Sequence, residues 1–142
     1  MVGKSSRLSL SLIIVILMVW GVAPWCYYTA FTVSGEVSML DYNSDNTRII
    51  LTDFTAGTAD IYDPIYYQSL HSISVAGRKV HSARFTKDTN YLAVGLDNGT
   101  VLFLDGKSPY SNTPLFTIDV EAGKKIRDIG FNSGNMNMIV CF

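Results

Sequence analysis

Few residues in this chain are of types that do chemistry, and their spacing limits what each can be. His71 and His81 are the two histidines, and neither has a second ligand at metal spacing. Cys26 lies beside a long apolar run and Cys141 is the penultimate residue, so the pair suggests neither a disulfide framework nor a metal site. At a membrane edge Cys26 is either an acylation site or a plain small apolar residue. Asp41, Asp45, Asp53, Asp60 and Asp63 are dense enough to suggest the carboxyl pair of a glycosidase. Their regular placement at turns and strand ends assigns them a structural role instead. There is no Gly-x-Ser-x-Gly elbow, His-Glu-x-x-His helix or phosphate-binding glycine loop. The sequence therefore predicts no catalytic constellation, no metal and no cofactor. Two features remain. Asn98-Gly99-Thr100 is an N-glycosylation acceptor in a tight turn. Tyr62, Tyr66 and Tyr67, around Pro64, form an aromatic cluster after a strand. Such a cluster either anchors an interface or packs beneath its own loop.

The elements that carry these residues repeat. Val37 begins the segment VSMLDYNSDNTRIILTDFTAGTADIYD, Val80 begins VHSARFTKDTNYLAVGLDNGTVLFLD, and Ile126 begins IRDIGFNSGNMNMIVCF. The offsets of 43 and 46 residues are the period at which four-stranded propeller blades recur. Apolar alternation predicts strands at 37–42, 48–53, 59–62 and 71–75 in the first unit. The second unit has them at 80–85, 91–95, 100–104 and 115–120, and the third at 126–131 and 136–142. Turn chemistry recurs as well. Asn43-Ser44-Asp45-Asn46, Thr86-Lys87-Asp88-Thr89-Asn90 and Asn132-Ser133-Gly134-Asn135 follow the first strands, where Asn and Asp bond their own backbone. Ala56-Gly57-Thr58 and Asn98-Gly99-Thr100 follow the second strands, and Asn-Gly is a strong hairpin signal. Asp63 and Asp105 close the third strands.

On these residues the chain resembles WD40-repeat propellers. Ala83-Arg84-Phe85-Thr86-Lys87-Asp88, Tyr91-Leu92-Ala93-Val94-Gly95, Asp97-Asn98-Gly99-Thr100-Val101 and Phe103-Leu104-Asp105 match the family's successive motifs, with one inserted residue in the third. The likeness runs from Val37 to Phe142. Gly77-Arg78 and Gly123-Lys124 stand where the family has Gly-His, and Tyr62 and Leu104 replace its tryptophan. The hydrogen-bonded tetrad of regular members cannot form, although Asp97 keeps its turn position, which leaves apolar packing and turn chemistry to hold the blades. The resemblance implies an all-β fold, a partial WD40-like propeller of about two and a half four-stranded blades over 31–142. A ring takes about four to eight blades, so the sequence reads as a fragment of a larger propeller.

Residues 1–30 differ in character. Lys4 and Arg7 precede the uncharged run LSLSLIIVILMVWGVA, and no further charge appears until Glu36. This is the layout of a signal peptide or a signal-anchor transmembrane helix. The run is short against the roughly 20 residues of a spanning helix, but Trp20, Trp25, Tyr27 and Tyr28 follow where an interfacial belt would lie. Gly21-Val22-Ala23 fits a cleavage site, which Pro24 disfavours. The expectation is a hydrophobic N-terminal helix holding the chain at a membrane through residues 8–30, or passing it into the secretory pathway. Net charge is −1, and setting aside Lys4 and Arg7 leaves nine basic against twelve acidic side chains. Nucleic acid is a poor partner for such a surface. The expected function is a non-catalytic protein-interaction scaffold binding protein partners. The alternative is a propeller-based enzyme, of hydrolase or quinoprotein type, with its catalytic residues in further blades.

Overall fold

A computed structural model describes residues 37–134 and 137–142. The predicted N-terminal hydrophobic helix lies outside the described residues. Among the described residues ten strands occur in chain order. β1 (Val37–Tyr42), β2 (Ile49–Asp53), β3 (Thr58–Asp63) and β4 (Gln68–Ile73) form one antiparallel sheet in the order β1-β2-β3-β4. β5 (Val80–Phe85), β6 (Tyr91–Leu96), β7 (Thr100–Asp105) and β8 (Phe116–Asp119) form a second with the same order. β9 (Asp128–Phe131) and β10 (Met138–Cys141) pair as a third, two-stranded sheet. The described residues are all-β, in three antiparallel sheets with a propeller-like arrangement.

The repeat extends to irregularities. The β1–β2 ladder slips between Val37 and Met39, and the β5–β6 ladder slips between Val80 and Ser82. Each slip is a bulge at the same repeat position, occupied by Ser38 in one sheet and His81 in the other.

The second sheet is buried on both faces, which is why its central strands read as continuous apolar runs rather than alternating ones. Strand side chains alternate between faces. Leu92, Val94, Leu96, Leu102 and Leu104 join Ile50, Ala59, Ile61 and Ile73 of the first sheet in one core. Ala93, Val101 and Phe103 turn the other way, into a second core with Ile126 and Ile129.

Most expected boundaries shift by a residue or two, and two of the larger shifts have a clear cause. β4 begins at Gln68 rather than at residue 71, because the connection from β3 closes in four residues. The Tyr67 N–H reaches the Asp63 carbonyl at 2.9 Å, with Tyr67 at φ 56°. β9 begins at Asp128 because Ile126, fully buried, gives its N–H to the Leu96 carbonyl of the second sheet at 3.1 Å.

Apolar packing and turn chemistry are also not all that joins the sheets. The Arg84 guanidinium on β5 meets Asp128 of β9 at 3.0 Å and Asp41 of β1 at 3.4 Å, and Asp41 also accepts the Phe85 N–H at 3.2 Å. The bond to Asp128 holds Arg84 more firmly charged than usual. These side chains are partly exposed, so each contact contributes about 1 kcal/mol or less. Their effect is to fix the first strands of all three sheets relative to one another.

Candidate interaction site

The aspartates at turns act as main-chain acceptors. Asp45 Oδ1 takes the Thr47 N–H at 2.9 Å, and Asp88 Oδ1 takes that of Asn90 at 3.0 Å. Hydrogen bonds, with Thr47 and Thr86 side chains foremost, lower both carboxyls below their ordinary range. Asp53 Oδ1 takes the N–H groups of Thr55 and Ala56, and Asp105 Oδ1 takes that of Lys107. Asp45 and Asp53, two of the acids whose density suggested a carboxyl pair, are therefore committed to turn geometry, as are Asp88 and Asp105.

Asp63 does this at the aromatic cluster. Its Oδ1 accepts from Ile65 N–H at 2.8 Å and Tyr66 N–H at 3.1 Å, while its Oδ2 pairs with Arg48 at 3.2 Å. The turn so fixed leaves Ile65 64%, Tyr66 73% and Tyr67 41% exposed. Tyr62 is not on this turn. It lies in β3 opposite Ile49, half-buried, and burial, then Asp60, raises its phenol. The structure thus holds Tyr66 and Tyr67 together, adds Ile65 and places Tyr62 within the sheet.

The same end of the sheets carries a polar cleft of about 320 Å³ between the β1–β2 turn, the β5–β6 turn and the loop after β7. Ser44 bonds Thr89 across it through both its hydroxyl (2.7 Å) and its main-chain N–H (3.1 Å). Residues 106–114 form a strap from the second sheet to the first. Tyr110 packs against the first core, and burial raises its phenol. Asn112 bonds His71 at 2.9 Å and reaches the Ser72 carbonyl at 3.4 Å. Sequence reasoning missed this strap. An aromatic residue between Pro109 and Pro114 is its one signal.

At the opposite end His81 is 3% exposed, with its ring edge-on to Phe54 at a 4.3 Å centroid distance. Nδ1 has no protein partner, and Oδ1 of Asp97 is likewise buried and unpaired. Burial lowers the His81 pKa from its ordinary 6.5, aided by Lys125, Lys79 and Arg127 and opposed by Asp97. The unfolded chain then binds more protons than the folded one as pH falls through 6.5 towards the folded value, so stability is lost in that window. Urea titrations should show the protein weakening from pH 7 to pH 5.5, and His81→Gln should flatten that dependence. An unchanged slope in the variant would place the pH sensitivity elsewhere.

Asn98 sits half-buried in the β6–β7 turn. Its carbonyl accepts from Gly123, and the Thr100 hydroxyl of the acceptor sequence bonds Asp119 at 2.8 Å. Among the described residues no group of three His, Cys, Asp or Glu side chains could hold a metal ion.

No family profile and no curated protein matches this sequence. Its fold is similar to that of a chain in the crystal structure of the mitotic checkpoint complex, with a TM-score of 0.61 at 14% identity. The match covers 78% of this chain and 33% of that one, so this chain spans about a third of that neighbour's length. At such identity the likeness is one of fold.

Proposed function

We propose that this protein is a non-catalytic protein-interaction scaffold of WD40 type, contributing blades to a propeller and presenting rigid turns to protein partners. The observation that carries the reading is the Ile65-Tyr66-Tyr67 tip. Large apolar side chains stand in solvent on a turn that Asp63 fixes through two main-chain bonds and an ion pair. Aromatic residues held this way lose little conformational entropy on binding, which is what makes them interface anchors. The neighbour of similar fold belongs to a multi-protein complex, which agrees with such a role. The commitment of the aspartates to turns supports a non-catalytic reading.

The apolar run within residues 8–30 supports a tether to a membrane, or entry into the secretory pathway. One experiment tests tether and scaffold together. Benzoylphenylalanine replaces Tyr66 in the native host, membranes are washed at alkaline pH, and the sample is irradiated. A discrete heavier adduct in the washed pellet is expected, with none when the probe replaces exposed Ser74. Release of the chain by the wash refutes the tether. A chain without adducts from Tyr66 refutes the tip as a docking site.

A further inference from the structure

Basic residues are concentrated where the fold does not require them. Beyond the N-terminal segment the chain has nine, and five fall in two short loops. Gly77-Arg78-Lys79-Val80-His81 leads into β5, and Gly123-Lys124-Lys125-Ile126-Arg127 leads into β9. The loops share one template of a glycine, two cations, a buried aliphatic residue and a further basic residue type. Gly77 and Gly123 both have positive φ, 69° and 77°, and Val80 and Ile126 are both fully buried.

Main-chain bonds set the loops on either side of the β6–β7 turn. The Asp97 N–H bonds the Lys79 carbonyl at 3.1 Å, and Val80 N–H bonds the Gly57 carbonyl at 2.9 Å. From the other loop, Gly123 N–H bonds the Asn98 carbonyl at 2.8 Å and Ile126 N–H bonds that of Leu96 at 3.1 Å. Backbone and aliphatic anchors do the docking, so nothing in the packing selects cations at 78, 79, 124, 125 or 127. All five are exposed, and Lys124 meets Glu121 at 4.0 Å. Arg78, Lys79, Lys125 and Arg127 form no ion pair among the described residues. Like charges gathered without partners repel one another, and a bound anion relieves that repulsion.

We propose that this collar of Arg78, Lys79, Lys124, Lys125 and Arg127 binds an extended acidic peptide segment of a protein partner. The inference rests on the scaffold reading and assigns it a second contact surface, at the end opposite Tyr66. A peptide fits better than a lipid surface or a nucleic acid because Asp97 and Glu121 lie among the cations. A continuous phosphate array would meet those carboxylates. An extended chain presents side chains to one face about every 6.6 Å, so its acids can alternate with gaps that the two carboxylates occupy. The cations also accelerate encounter, and the contact weakens as salt rises.

The full chain in non-ionic detergent, titrated against a fluorescein-labelled (Glu-Ser)6 peptide, tests this by anisotropy at 50 and 300 mM NaCl. Binding at low salt that falls several-fold at high salt is expected. Lys125→Glu/Arg127→Glu should weaken it at least tenfold, and Lys79→Glu on the other loop about threefold. Lys87→Glu, at the opposite end, should leave it unchanged. The circular dichroism spectrum of each variant verifies folding. Failure of the folded wild type to bind, or equal binding by the folded double variant, overturns the proposal. So does loss by these variants of binding to phosphatidylcholine–phosphatidylserine vesicles when the peptide never binds, since the collar would then be a lipid contact. A silent peptide titration beside an intact Tyr66 adduct removes the collar and leaves the scaffold. Loss of the adduct beside peptide binding does the reverse.

Discussion

Gly99→Ala should be among the most destabilising single-methyl additions in this protein, at about 3 kcal/mol or more. Two effects add. Gly99 sits at φ 89°, where a side chain costs about 1–2 kcal/mol. A Cβ there would also lie 1.7 Å from the Glu121 carbonyl oxygen, which is backbone and cannot rotate away. Glu121 is held close because the Gly99 carbonyl accepts the Val120 N–H at 2.9 Å and Asn98 accepts that of Gly123. Relief of the clash must therefore pull the β8–β9 connection from the turn. Gly123→Ala is the control, since Gly123 has φ 77° and nothing within 4 Å of its Cβ position. It should lose only the backbone cost of about 1–2 kcal/mol. Urea denaturation followed by far-ultraviolet circular dichroism separates the two. Equal losses would mean that the turn and the 120–123 segment are not packed together.

Ile61→Ala should cost about 2–5 kcal/mol, the range for removing a buried aliphatic side chain and leaving a cavity. Ile61 is fully buried on β3, between the first sheet and the leucines of β6 and β7. Neighbours on two sheets must both move for the space to close. Against a domain stability of about 5–15 kcal/mol such a loss is large. Ile139→Ala on β10, where the side chain is 68% exposed, should stay within about 0.5 kcal/mol. Denaturation midpoints that fail to distinguish these variants would refute the packed core between the first two sheets.

What the sequence disclosed and what it hid divide along physical lines. Local chemistry was legible. Asn98-Gly99 is a hairpin turn, and Asp45, Asp53, Asp88 and Asp105 accept from the residues just after them. Each depends on neighbours a few residues away. Interactions set by the packing of one sheet on the next were not legible. Arg84 finds Asp41 and Asp128 at sequence separations of 43 and 44, and neither pairing follows from any residue type or local spacing. Tyr110 reads as a loop residue until the strap carries it into the first core. For the interaction site, Tyr66 and Tyr67 were visible as a cluster. Their separation from Tyr62 follows from the Asp63 turn, which allows the next strand to begin at Gln68. The cation template was printed twice in the sequence. Its meaning required the main-chain bonds that dock both loops on one turn.

The strap over 106–114 has a consequence for solubility. β4 is the outer edge of its sheet and is mostly exposed, and a bare strand edge is a template on which other chains can add strands. Asn112 engages the His71 ring and the Ser72 carbonyl there, so part of that edge is already occupied from within the molecule. The strap is therefore also a guard against fibrillar accretion along that edge.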